Sequence, residues 1–295
     1  MRNSFSLAHP LTNLFFFVSV IAFSMFVMQP VCIGISLVCA ASYAVVTGGR
    51  KTVFFSLKFL LPTALMIVII NPLFNHRGVT ILRYLPWDNP LTLESIVYGI
   101  ASAALLCSVV LWFSSFNKVM TSDKLICLFG RAVPAISLVL SMALRFIPRF
   151  FAQFREVRLA QRQFHSDGKK SLTARFKSAL RVFSIMISRS MENAIETSDS
   201  MRSRGYGIKG RTAYSLFRFH RSDAVLLITM SIEITALALL LVFGKLKFRY
   251  YPIIKGDLTD GFCLLFYTIY MLLMLTPIII NIGEEIRWKR SMSKI

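Results

Sequence analysis

Charged residues are absent from Asn3 to Gly49, a run of 47 positions rich in Phe, Leu, Val, Ile and Ala. As helix that run would reach about 70 Å, enough to cross a hydrocarbon layer of roughly 30 Å twice. The tripeptide "MQP" at Met28 to Pro30 marks the break between the two crossings, since proline lacks the amide that a helix interior needs. Further uncharged runs follow at Phe59 to Asn75, Ser95 to Asn117 and Phe262 to Gly283, while Ala224 to Phe243 is interrupted by Glu233 alone. Each is long enough to span when slightly tilted. The pattern predicts six membrane helices, the first two short or re-entrant once Pro30 is set aside.

A different period governs the middle of the chain. Phe176, Leu180, Phe183, Ile187, Met191, Ala194, Ser198 and Met201 recur every three or four residues. They predict one amphipathic helix of about 45 Å with its apolar stripe buried. Gly205 and Gly207, flanking Tyr206, permit the left-handed turn that closes a helix, and Arg202 and Arg204 sit at the negative end of its dipole. Upstream, Phe146, Phe150, Phe154 and Val157 line one side of a second helix, and Arg145, Arg149, Arg155, Arg158 and Arg162 another. The stretch feeding it, Ala132 to Leu144, is largely apolar but only 13 residues long. That is too short to cross, so it is expected to lie against the membrane or pack within the bundle, with Pro134 and Pro148 starting or kinking the pieces. "HSDGKKS" at His165 to Ser171 reads as the turn between the two arms.

Composition agrees with a membrane protein. The 295 residues are 55% hydrophobic, with mean hydropathy +0.62, and carry 34 Lys and Arg against 14 Asp and Glu. That combination is seldom compatible with a soluble globule. Between Ser114 and Ser222 stand 20 Lys and Arg and 6 acids, a net +14 of the chain's +20. Basic segments stay in the cytoplasm. "GGRK" at Gly48 to Lys51 and the tail residues Arg287, Lys289, Arg290 and Lys294 fall on the same side if six helices alternate, which puts both ends of the chain in the cytoplasm. Gly244 to Gly261 runs against this rule: it faces outside, yet holds Lys245, Lys247, Arg249 and Lys255 against Asp257 and Asp260. A signal peptide would be a competing account of the first apolar run. Its flanks argue against one, because only Arg2 is basic and no clear small-residue cleavage site follows.

Candidate chemistry is sparse. Cys32, Cys39, Cys107 and Cys263 lie in apolar spans without CxxC spacing and are expected to be packing residues. His9, His76, His165 and His220 stand far apart, and no HExxH, GxSxG or GxxxxGK[ST] string occurs, so no catalytic, cofactor or metal site is expected. Glu233, the one acid deep in a span, is expected to be paired within the bundle or neutral. Glu94, two residues after Thr92, is expected to offset the dipole at a helix start. Two basic helices beneath a bundle fit a lipid-headgroup surface, a nucleic-acid surface or a protein-docking surface. Nucleic acid is disfavoured because the aromatics lie on the stripe expected to be buried. Docking accounts for arginine at a helix end, where a fixed guanidinium fork keeps its charge when water is excluded.

The order "LTLESIVYG" (Leu91 to Gly99), "LSMALRFIPRF" (Leu140 to Phe150), "RLAQRQ" (Arg158 to Gln163) and "MRSRGYG" (Met201 to Gly207) resembles the transmembrane T component of energy-coupling-factor importers, the EcfT/CbiQ family. "HPLTNL" near the start is similar too, and the likeness covers residues 8 to 243. The resemblance implies a mechanical subunit that joins two ABC-type ATPases to a substrate-binding membrane S component. Ser203, Arg204 and Gly205 match the second of the family's two Ala-Arg-Gly coupling motifs, with Ser in place of Ala. The first motif departs from the pattern: after "AQR", Gln163, Phe164 and His165 stand where Ala-Arg-Gly is usual. Arg162 or Arg158 is left to supply the cation from a neighbouring turn, which is compatible with a dissimilar ATPase pair. Arg202 stands where the family often has an acid.

The resulting expectation is an all-α polytopic membrane bundle of about six transmembrane helices with a cytoplasmic domain of long basic coupling helices. Residues 1–117 and 223–295 would form the membrane part and 118–222 the coupling domain. The function expected is coupling in micronutrient uptake, of a vitamin or a metal ion, in the cell membrane of a prokaryote, with no enzymatic activity or cofactor of its own. The alternatives are a membrane-embedded lipid-modifying enzyme, which would need convergent polar groups that the spans hardly offer, and a polybasic membrane anchor without a transport role.

Overall fold

In hydrocarbon each backbone amide must find its partner within the protein, so the uncharged runs fold as helices. The computed structural model describes residues 4–75, 78–84, 90–132, 134–163, 172–206, 208, 217–243, 248–256 and 259–292. Within these, α1 runs Pro10–Phe26, α2 Pro30–Phe74, α3 Leu93–Val119, α4 Ser122–Ala132, α5 Pro134–Gln163, α6 Leu172–Ser203, α7 Arg221–Val242 and α8 Gly261–Met292. A 3₁₀ turn at Ser4–Leu7 precedes them. Pro10, Pro30 and Pro134 each open a helix, where the missing amide would have had no intrahelical partner.

The fold is all-α and polytopic. Among the described residues, five stretches are long and apolar enough to cross a membrane: Pro30–Gly49, Leu93–Val119, Ile136–Gln161, Arg221–Val242 and Gly261–Met292. Two of the six expected spans, Pro10–Phe26 and Lys58–Phe74, fall among the shorter apolar helices. The α2 run joins two expected crossings and breaks at Gly49, whose φ is 69°. The stretch upstream of Leu144 needs correction. It is no separate short piece, because α5 continues through Pro148 and Ile136–Gln161 reaches spanning length. A helix-interior proline forfeits one backbone bond, and here the flanking turns hold the helix together. Two strands, β1 at Ile81–Tyr84 and β2 at Pro90–Thr92, pair antiparallel ahead of α3, an element that the hydropathy pattern does not show.

The chain divides into two units, Met1–Leu125 with Phe217–Ile295, and Ile126–Leu216. The first has an aromatic core in which Phe5, Phe16, Phe17, Tyr43 and Trp112 are fully buried. Phe5 meets Phe16 edge-on at 5.2 Å, and Tyr43 stacks on Trp112 with ring centroids 6.0 Å apart. Side-chain bonds fix the helix register. Trp112 Nε1 donates to Ser36 Oγ at 3.2 Å, and Ser36 Oγ lies 2.9 Å from Ser24 Oγ, so α3, α2 and α1 share one polar chain. The Phe5 amide donates to Asn281 Oδ1 at 3.0 Å and pins the 3₁₀ turn to α8. Such bonds contribute about 0.6 kcal/mol each inside a membrane, so they select an arrangement more than they stabilise it. Cys32, Cys39 and Cys263 are buried, and Cys107 is half-buried.

Glu94 keeps its expected place at a helix start and gains a tertiary partner, and Glu233 lacks the paired half of its expectation. Glu94 is buried, and its Oε1 accepts from the Thr80 amide at 3.1 Å and the Thr80 hydroxyl at 2.7 Å. It fastens the segment leading into β1 to the start of α3, a tertiary role in addition to its place in the first helical turn. Glu233 is half-buried, and its Oε2 has no hydrogen-bond partner among the described residues, so the expected pairing is not found there.

Candidate functional site

The 32 residues of α6 make a rod of about 48 Å. Its end is built by three residues. Ser203 is the last helical residue, and its hydroxyl turns back to the Ser200 carbonyl at 2.9 Å. Arg204 follows as the cap, exposed, with its amide on the Ser200 carbonyl at 3.3 Å. Gly205 then takes φ 71°. That left-handed step lets the Gly205 amide reach the Arg202 carbonyl at 3.0 Å and the Tyr206 amide reach the Met201 carbonyl at 3.1 Å, the paired bonds of a Schellman closure. The geometry presents the Arg204 guanidinium at the dipole's negative end on a backbone fixed by two hydrogen bonds. Gly207, Phe164 and the turn at His165 to Ser171 lie outside the described residues.

The structure places Arg158 and Arg162 elsewhere. Arg158 is exposed on α5 beside Val157, and Val157 is buried against Val182 and Met186 of α6. That contact marks the crossing of the two arms. Arg204 stands 18 residues beyond Met186 along α6, about 27 Å on a helical rise, so Arg158 is not brought to the Arg204 tip. The backbone of Arg162 lies in the last turn of α5.

The apolar stripe of α6 corrects an expectation. Phe176, Phe183 and Met191 are 67%, 63% and 66% exposed, and Leu180 and Ile187 are exposed with them. Phe146, Phe150 and Phe154 of α5 are exposed as well. Around the crossing, Val157, Val182 and Met186 are buried. Two long rods that meet at one place cannot cover each other's stripes along their length. Beside the crossing, Phe150, Phe183, Met186, Ile187, Met191 and Ala194 line a groove of about 250 Å³. The second unit thus offers apolar area and exposed arginines together.

One cluster in the first unit escaped the sequence reading. Asp223 Oδ1 accepts the His9 amide and its Oδ2 the His220 amide, both at 3.0 Å, so one buried carboxylate ties the start of α1 to the start of α7. The signal available was the spacing His220-x-x-Asp223, which forms a capping box. Among the described residues no three His, Cys, Asp or Glu side chains gather in a group able to hold a metal ion.

A family described as cobalt transport protein, CbiQ, matches residues 1–214. The chain belongs to the CbiQ family. The relatives of this CbiQ-family chain include an energy-coupling factor transporter transmembrane protein, EcfT, of Lactobacillus helveticus. It is 36% identical over 118 residues, which cover 39% of this chain and 42% of that protein. EcfT 1 of Listeria monocytogenes is 32% identical over 107 residues, 36% of this chain and 40% of its own length. EcfT of Lacticaseibacillus paracasei is 34% identical over 95 residues, 32% and 36% of the two chains. The chain therefore spans about two fifths of the length of the curated relatives it matches. The exposed aromatics remove burial as a reason against nucleic acid.

Proposed function

We propose that this chain is the coupling subunit of an energy-coupling-factor importer in a prokaryotic cell membrane, joining two ABC-type ATPases to a membrane S component that binds a micronutrient. Residues 1–117 and 223–295 form the membrane part, with both ends of the chain on the cytoplasmic side, and 118–222 the coupling domain. The observation that carries this reading is the exposed Arg204 at the glycine-closed end of a 32-residue helix. An arginine fork held at a helix tip engages a partner's carboxylate or carbonyl groups bidentately, and the hydrogen-bonded helix behind it serves as a lever. Nucleotide-driven movement of an ATPase gripping that tip would swing α6 about its crossing with α5. The uncovered stripe from Phe176 to Met191 supplies apolar area for a membrane-embedded partner that follows the swing. Hydrolysis belongs to the ATPases and substrate selection to the S component, so this chain needs neither catalytic groups nor a cofactor.

The test compares Arg204→Ala with Arg162→Ala in one pull-down of tagged ATPases from membranes. Arg204→Ala should insert and fold normally yet lose ATPase recovery and uptake, because the side chain is outside any core. Arg162→Ala should show a smaller defect, unless it replaces the absent first motif. Normal uptake and normal complex recovery in Arg204→Ala would overturn the reading.

A further inference from the structure

The segment between α7 and α8 concentrates Lys245, Lys247, Arg249 and Lys255 against Asp257 and Asp260. Its flanking helices are both long and apolar enough to span, so a hairpin between them lies at a membrane interface. Within it, Arg249 and Lys255 form an antiparallel pair: the Arg249 amide donates to the Lys255 carbonyl at 2.9 Å, and the Lys255 amide to the Arg249 carbonyl at 3.0 Å. Residues paired in this way carry their side chains on one face with Cα atoms about 5.5 Å apart. Like charges directly opposite each other repel, and a counter-charge between them offsets the cost. Both side chains are exposed, and neither forms an ion pair among the described residues.

Strand alternation fixes the other face. The rings of Phe248 and Tyr250 lie 4.8 Å apart, and Tyr98 of α3 lies 5.5 Å from Tyr250; Tyr251, in the bend beyond the pair, comes to 5.1 Å from Tyr98 as well. The Tyr250 hydroxyl donates to the Met28 carbonyl at 2.8 Å, and burial, with Tyr98 nearby, pushes it up to about 12, so the proton stays. A Cβ at Gly256 would collide with the Phe248 ring, so glycine is required for the ring to close on the hairpin. The rings therefore hold one face on the bundle and leave the two cations on the other. Beyond them, Ile253 and Ile254 are exposed next to Pro252.

We propose that residues 248–256 are a headgroup clamp, in which Arg249 and Lys255 hold the phosphate of an anionic phospholipid while Ile253 and Ile254 enter its acyl layer. Cations at a bilayer surface attract anionic lipid, and tyrosines sit naturally at headgroup depth. A lipid phosphate is favoured over free phosphate because only a bilayer also takes the apolar tip. The clamp is independent of the coupling role, so either can fail without the other.

The test is a titration of the full chain in neutral detergent with phosphatidylglycerol, phosphatidylcholine or inorganic phosphate, read as the thermal midpoint. Phosphatidylglycerol should raise the midpoint, and the other two should not. The double variant Arg249→Gln/Lys255→Gln should bind phosphatidylglycerol about thirty-fold more weakly, the factor expected for removing two surface cations. The charge-preserving swap Arg249→Lys/Lys255→Arg should keep the response, which separates loss of charge from loss of fold. Arg287→Gln/Arg290→Gln, at the opposite end of α8, should keep it too. An undiminished response in the double variant, a phosphate response equal to that of phosphatidylglycerol, loss of response in the swap, or its loss in the tail variant would each overturn the clamp.

Discussion

Gly205→Ala tests the closure that positions Arg204. Gly205 holds φ at 71°, in the left-handed region, and the Cδ1 of Ile208 lies 3.1 Å from where a Cβ would stand. An L-residue in that conformation costs about 1–2 kcal/mol. Ile208 is exposed and its side-chain end can give way, so nearly all the strain is in the backbone. At 1.36 kcal/mol per factor of ten, the variant lowers the ratio of closed to frayed cap by about five- to thirty-fold. The amides at positions 205 and 206, which donate to the Arg202 and Met201 carbonyls, should exchange hydrogen faster by the same factor. ATPase affinity should fall with them, since the guanidinium loses its fixed base. The thermal midpoint of the solubilised chain should barely move, because this turn belongs to no core. Gly205→Asn should recover part of the loss, since asparagine visits the left-handed region more readily. The measurements are exchange by mass spectrometry over residues 198–206 and a binding titration with the ATPases. If Gly205→Ala exchanges and binds like the parent, the cap does not set the position of Arg204.

Further tests address the first unit. Burial holds the Lys124 ammonium below its ordinary value of 10.5, and its Nζ donates to the Ser6 carbonyl. Between the depressed value and 10.5 the unfolded chain binds more protons than the folded one, so this site adds stability as pH rises through that window. The parent's midpoint should therefore gain on that of Lys124→Met as pH is raised toward 10.5, and a difference unchanged with pH would refute the assignment. Asp223→Asn keeps one acceptor where two amides converge and removes the charge, a loss of about 3 kcal/mol on the scale of hydrogen bonds to ionised groups. Its midpoint in detergent should drop clearly, and no measurable drop would mean that Asp223 does not hold α1 to α7.

The end of α6 was legible because its signals are local. Spacing of three and four, an arginine pair and a glycine all act within one turn, and the helix stops at Ser203 with Gly205 left-handed as those residues require. The full length of α5 is hidden in the sequence because Arg145 and Arg149 cut its apolar run, although long basic side chains can reach past an apolar face to water. The sequence shows Glu94 at its helix terminus but not its partner Thr80, which lies across a strand pair absent from the hydropathy pattern.

By itself the sequence determined that this is a multi-span helical membrane protein with a basic middle segment, since solvation by hydrocarbon depends on composition over a run of residues and on nothing distant. Tertiary structure alone decided which apolar faces are covered. Phe16 is fully buried and Phe26 is 84% exposed on the same helix, and the stripe of α6 is open while Met186 beside it is closed. Lipid, a partner and a core are all apolar, so periodicity marks a face without naming what lies against it. Likewise, Asp223 met the His9 amide 214 positions away, and Arg249 came to face Lys255, only when the chain had folded.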